Sequence, residues 1–248
     1  MTATGHGGSA SLAENDYWWY RARTTLLKTV LADRIGHPQR VLDVGSADGP
    51  SVGWLHDHEG LHVPLDIDLR GLTAGGVCGS AVNLPFADDS FDVVGAFDVV
   101  EHCESEAVAL AELARVLKPG GTVMVSVPAY QWAWSSFDDA NGHHRRYTRK
   151  RAVGAVEAAG LRVDRATYAF AAVFPFFAIQ RVATRIVERV QRRDSSAPAD
   201  VVELPSVSPS LSRLLLRLCR MDERLLRRTN LPFGSSVVLA ASKPEAAL

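Results

Sequence analysis

Cysteine is scarce in this chain. There are three in 248 residues, Cys78, Cys103 and Cys219, and no CxxC pair. That spacing excludes a disulfide framework and a cysteine-type structural zinc site, and it fits a reducing compartment. No apolar run reaches the roughly 18 residues that a membrane-spanning helix needs. The opening stretch MTATGHGGSASLAEN lacks the apolar region of a signal peptide and reads as a Gly/Ser/Ala-rich flexible segment. Neither sign of charge is in excess: 27 Lys and Arg stand against 28 Asp and Glu. A nucleic-acid-binding chain would carry a basic surplus, so none is expected as partner. The expectation is a cytoplasmic globular protein, whose 47% hydrophobic content suffices for a sizeable core.

What is abundant is alternation. Leu26, Leu27, Val30, Leu31 and Ile35 recur at helical spacing, predicting a helix over 23–35 that GHP ends. Apolar runs predict strands over 40–45, 61–68, 91–100 and 121–129. Helices are expected over 49–58 (GPSVGWLHDH) and 105–121, then a helix over 148–160 and a strand over 161–170. Near-continuous apolar strands between helices argue for a parallel sheet covered on both faces. After residue 170 the rhythm changes. A helix over 174–193, a Pro/Ser-rich linker over 194–210 and a second amphipathic helix over 211–228 precede a strand over 235–244. The organisation is therefore a flexible or lid-like segment 1–22, a core 23–170, a helical insertion 171–232, and a last strand with tail 233–248.

The stretch VLDVGSADGP (41–50) is a buried strand running into a small-residue turn. In open parallel sheets ligands bind beyond the carboxyl ends of the strands, and Gly45 lets the backbone turn and a ligand approach. The dinucleotide fingerprint G-x-G-x-x-G is absent, and Asp48 would repel a pyrophosphate. Asp43 and Asp48 suit a cationic ligand instead, and Asp66, about one βαβ step on, is placed to accept from ribose hydroxyls.

These stretches resemble the class I S-adenosylmethionine-dependent methyltransferases, in particular their type 11 small-molecule group. VLDVGSADG is similar to the first motif, VPLDID to the second strand with its acid, GSAVNLPFADDSFDVVGAFDVVEH (79–102) to the adenine-side loop and fourth strand, and LARVLKPGGTVMVSVP (113–128) to the helix and fifth strand. The resemblance implies a Rossmann-like, doubly wound α/β fold: a mostly parallel seven-stranded sheet with helices on both faces and a helical insertion before the last strand. It implies S-adenosylmethionine as cofactor. Gly45, Ser46 and Gly49 would lie against its methionine part, with Asp43 supporting the loop or the ammonium group. Asp66 would bind the ribose, Ile67 would pack on adenine and Ala81 would offer a backbone N–H to it. Phe97 would sit beside the methionine portion. Ser80 departs from the aspartate that the family often carries there, and a serine oxygen is a weaker acceptor.

Methyl transfer from a sulfonium needs alignment, exclusion of water and, for a hydroxyl or activated carbon acceptor, loss of a proton. Candidate bases are His143 and His144 in NGHHRRYT (141–148), after the fifth strand, and His102 after the fourth. Loop anchoring is the competing role for this stretch, with Arg145, Arg146 and Tyr147 as anchors. No third ligand stands near the His143–His144 pair, and His56 and His58 do not share a helix face, so no metal is expected. The aromatics of DYWWYRAR (16–23) fit either a lid or a helix start packed on the sheet. Arg213, Arg217, Arg220, Arg224, Arg227 and Arg228 form a stripe opposite Leu211, Leu214, Leu215, Leu218 and Leu225. With FPFF at 174–177 this raises peripheral membrane contact through 174–228 and a small-molecule or lipid-linked acceptor. Two alternatives stand beside this reading: a nicotinamide-dependent oxidoreductase or epimerase, whose glycine fingerprint and Tyr-x-x-x-Lys pair are both missing here, and a non-catalytic S-adenosylmethionine-binding protein.

Overall fold

The computed structural model describes residues 16–46, 52–69, 72, 75–191 and 207–245. Gly49, most of the N-terminal segment, Arg192, Arg193 and nearly all of the linker lie outside the described residues.

Seven strands form one sheet: β1 (Arg40–Val44), β2 (Leu61–Asp66), β3 (Val77–Cys78), β4 (Phe91–Phe97), β5 (Leu117–Pro128), β6 (Arg162–Ala169) and β7 (Ser236–Ser242), in the order β3-β2-β1-β4-β5-β7-β6. All pairings are parallel except those of β7, which runs antiparallel to both β5 and β6. The sheet is the doubly wound α/β architecture that the alternating pattern predicts. β1, β4 and β7 are buried almost end to end because both sheet faces are covered.

The helices are α1 (Trp18–Leu31), α2 (Glu106–Val116), α3 (Ser136–Ala140), α4 (Arg149–Ala158), α5 (Phe174–Gln191) and α6 (Pro209–Leu226). The last two lie in the chain between β6 and β7, as the amphipathic pair required. Several boundaries differ from expectation. The first helix begins at Trp18, not Arg23, and takes in three of the aromatics: Tyr20 is buried, and Trp19 stacks on Phe170 at 5.9 Å. Tertiary contacts, rather than aliphatic spacing, carry this first turn. GPSVGWLHDH yields only a 3₁₀ turn at Gly53–His56 among its described residues. Glycine and polar residues leave too few apolar positions for a helical face, and among the described residues only Val52, Trp54 and Leu55 reach the core. α2 ends at Val116, because Leu117 already pairs with Phe91 of β4. On α6 the buried positions are Cys219, Asp222 and Leu226, with Leu215, Leu216 and Leu218 packed against the core, whereas Leu211, Leu214 and Leu225 stay exposed. The expected single apolar stripe is thus split into a packed face and a bare flank.

Candidate active site

Because β1, β2 and β4 are parallel, their carboxyl ends open on the same edge. β1 leads into Gly45, whose φ of +75° suits glycine, and a Cβ there would meet Val99 Cγ2 at 2.4 Å. The Gly45 N–H donates to the Leu65 carbonyl at 2.8 Å, which ties this turn to β2. Asp66 ends β2, is buried, and accepts from the Asp68 N–H at 2.8 Å. Ile67 beside it is 75% exposed on the cleft wall. Across from it stand Ser80 and Ala81, after β3; the Ser80 hydroxyl accepts from the Val82 N–H at 3.4 Å. Phe97, buried at the end of β4, leans on Trp54 at 6.1 Å.

Gly45, Asp66, Ile67, Ser80, Ala81 and Phe97 line one cleft of about 1320 Å³. Asp43 lies beneath its floor. Burial pushes the Asp43 carboxyl up to about 7, helped by the Asp66 charge and opposed by Arg23. Ser46 Oγ is buried without a hydrogen-bonding partner among the described residues. The donor set fits a nucleoside with a cationic tail: a carboxylate for hydroxyls, an apolar slot for a base, and a glycine floor without side chain.

The same cleft continues to the groups after β4 and β5. Asp98 has φ +57° and receives hydrogen bonds from Arg23 at 2.8 Å and from Ser126 Oγ at 3.2 Å. Tyr130 and Phe170, at the ends of β5 and β6, are also left-handed. Three such outliers at strand ends mark the strained rim typical of ligand sites. The 3₁₀ turn Val100–His102 follows Asp98. Glu101 is fully buried, and burial together with Asp98 pushes its carboxyl well above the usual range. His102 is pushed down to about 4 by burial and by His143, whose ring lies 4.6 Å away, so its imidazole is neutral near pH 7.

The NGHHRRYT stretch is fixed by its arginines and tyrosine. Arg145 donates to the carbonyls of Val100, Cys103 and Glu104. Arg146 is buried and makes a two-pronged pair with Asp138, at 2.7 and 3.0 Å. The Tyr147 N–H donates to the Pro128 carbonyl, and the Tyr147 carbonyl accepts from the Tyr130 N–H. Asp138 also accepts from the Ser135 N–H and bonds His143 Nδ1 at 2.8 Å. Burial acts to raise this carboxyl, but His143 and Arg146 hold it at about 2. The structure brings His102 and His143 together on the cleft wall; His144 is exposed outside it, its N–H donating to the Glu101 carbonyl. Sequence reasoning missed Glu101, whose setting EHCESE reads as an ordinary acidic helix start, and it missed Asp138. It also foresaw no third donor near His143, whereas Glu101, His102 and His143 cluster.

The far wall is apolar. Trp18 and Trp19 of α1, Phe176 and Phe177 of α5, and Leu214 and Leu218 of α6 complete it.

Residues 42–125 match the family Methyltransf_11, described as a methyltransferase domain. The demethylmenaquinone methyltransferase of Mycobacterium bovis (strain BCG / Pasteur 1173P2) is 34% identical over 121 residues, 46% of this chain and 49% of that protein. The chain thus spans about half the length of the curated relatives it matches. Among solved structures, a putative methyltransferase in complex with its Haloferax volcanii Trm112 activator superposes with a TM-score of 0.58, at 20% identity over 96% of this chain and 94% of that one. The cyclase SpnF superposes with a TM-score of 0.56, at 21% identity over 98% and 88%. The family match covers residues 42–125 alone, and the seven-stranded sheet around them shares its fold with these solved structures.

Proposed function

We propose that this chain transfers a methyl group from S-adenosylmethionine to an apolar, lipid-like acceptor. The observation that carries this reading is one cleft with two unlike ends. At one end are Gly45, Asp66, Ile67 and Ala81; at the other is an aromatic and aliphatic wall from α1, α5 and α6. About 1320 Å³ exceeds the volume of about 300–1,000 Å³ that one small ligand occupies, so two ligands fit side by side.

S-adenosylmethionine would supply an electrophilic methyl group. Asp66 would hold the ribose hydroxyls, with Ser80 and Ala81 at the adenine edge and Ile67 against its face. Gly45, Ser46 and Gly49 would flank the methionine part, Phe97 would pack beside it, and Asp43 would offset the ammonium charge from below. The apolar walls would exclude water from the reacting centre. His102 and His143 face the acceptor end and would orient the acceptor's nucleophilic atom. Demethylmenaquinone is the substrate that the similar mycobacterial enzymes are named for, and a quinol with an apolar tail matches this cleft. Exposed Leu211, Leu214, Leu225, Phe176 and Ile179 beside the arginine face of α6 support peripheral contact with an anionic bilayer, from which such an acceptor would be drawn.

Calorimetry tests the cofactor assignment. Asp66→Ala should weaken S-adenosylmethionine binding by at least about tenfold, the loss of one charge-assisted hydrogen bond, and unchanged affinity would sink the ribose assignment. Since a protein named as a cyclase has this fold, binding alone does not decide the reaction. Formation of S-adenosylhomocysteine with an isoprenoid quinol does.

A further inference from the structure

We propose that Glu101, His102 and His143 form a binding site for one divalent transition-metal ion of the zinc type. One donor atom from each lies within 4.8 Å of the other two. Ligand atoms around tetrahedral zinc stand about 3.3 Å apart, as bonds of about 2.0–2.1 Å require. Side-chain rotation closes that difference.

The first argument is the orphaned carboxylate. Glu101 is fully buried, and no other described residue hydrogen-bonds either of its oxygens. Two acceptors buried without donors are costly, and a cation would satisfy both. The second is the orientation of His143. With Nδ1 hydrogen-bonded to Asp138 at 2.8 Å, Nε2 is left with the lone pair. A carboxylate behind an imidazole is the usual support of a metal-bound histidine. Asp138 is in turn locked by Arg146 and by the Ser135 N–H, so this supporting layer is rigid. The third is the backbone: the His144 N–H to Glu101 carbonyl bond, 2.8 Å, ties the loop to the turn and holds the donors together.

The donor set chooses the ion. Two imidazoles and one carboxylate suit zinc, cobalt, nickel or iron(II); magnesium and calcium prefer oxygen alone. Three protein donors leave a coordination position open toward the cleft. Binding of the ion stands on the geometry alone. Its use, to orient an acceptor oxygen, rests on the methyl-transfer reading.

The test uses the metal alone. Full-length protein stripped with a chelator is titrated with Zn²⁺ by calorimetry and with Co²⁺ by visible absorption. One equivalent should bind, with a cobalt ligand-field band. Glu101→Gln, His102→Ala and His143→Ala should each weaken binding about 100-fold or more, beyond the about 10–100-fold of supporting residues. His144→Ala should bind as the wild type does, and so should the His56→Ala/His62→Ala double variant, which removes a second pair of neighbouring imidazoles. His102 is exposed to the open cleft that partly surrounds its ring, so its variant reads the site even if Glu101→Gln fails to fold. The proposal is overturned if the wild type binds neither ion, if Glu101→Gln and His102→Ala bind unchanged, or if only the His56/His62 variant loses the metal. S-adenosylmethionine affinity, measured separately, fails or holds independently of these outcomes.

Discussion

At the residue scale, two positions at the cleft floor carry testable consequences. Burial holds the Asp43 carboxyl at about 7 in the folded chain, against an ordinary value near 4. A carboxyl raised on folding lends its stability fully below the unfolded value, and that stability is lost as pH rises through the folded value. Asp43→Asn should therefore gain on the wild type between about pH 4 and pH 7, by up to about 4 kcal/mol. Thermal melts check this: the variant's advantage in Tm should be larger at pH 8 than at pH 5. The cofactor reading adds a second outcome. A cationic ligand above Asp43 favours its ionised form, so affinity for S-adenosylmethionine should rise from pH 6 to pH 8 in the wild type and stay flat in Asp43→Asn. Gly45 is the other position. An alanine there meets Val99 and must hold φ +75°, at about 1–2 kcal/mol of backbone strain alone. A Tm lower by several degrees and loss of cofactor binding are expected, and unchanged melting would show that the turn relaxes.

At the element scale, the loop after β5 is a frame built on one ion pair. Asp138 and Arg146 are both buried, so Asp138→Ala strands a guanidinium and should cost about 3–5 kcal/mol by urea denaturation at pH 7. The Asp138 carboxyl is held down to about 2, so its contribution is complete above about pH 4 and disappears as pH falls through 2. Sequence alone pointed to Arg145, Arg146 and Tyr147 as anchors because they flank a turn next to a strand end. It did not reveal their partners. Asp138 sits in SSFDDANG, where acidic residues usually face solvent, and only the capping box at Ser135 turns it inward. The elements themselves were readable because their signals are local: apolar runs for β1 and β4, helical spacing for α1, and Gly160 after α4. Misreadings arose where local pattern and tertiary contact disagree. Trp18–Tyr20 are helical because Trp19 stacks on Phe170, Tyr20 is buried and Trp18 packs against the core, which no spacing rule contains.

At the scale of the whole molecule, the inserted helices decide what can enter. α5 and α6 close the apolar end of the cleft, whose mouth Leu211 and Leu214 line, and leave Met221 and Leu225 bare next to exposed arginines. If the acceptor tail lies along this wall, kcat/KM should rise about fourfold per added buried methylene, about 0.8 kcal/mol each, until the wall is filled. A profile flat in tail length would place the tail outside the cleft. Liposome flotation separates membrane contact from mere burial: binding should need anionic lipid, weaken with salt, and fall when Met221 and Leu225, which do not line the cleft, are replaced by serine. No described helix is long and apolar enough to cross a membrane.

By itself the sequence determined six of the seven strands and most of the helices, the glycine turn after β1 and the acid that ends β2. Each of these is written in neighbouring residues, through periodicity and backbone freedom. The two-residue β3 and the five-residue α3 are too short to carry a periodic signal. Only the tertiary structure decided which distant residues meet. β7 enters between β5 and β6 in the opposite direction, Arg23 reaches Asp98, and the turn after β4 meets the loop after β5 so that Glu101, His102 and His143 share one space. The physical reason is that a parallel sheet gathers the ends of separate strands on one edge. Chemistry assembled there depends on the pairing of strands, not on adjacency along the chain.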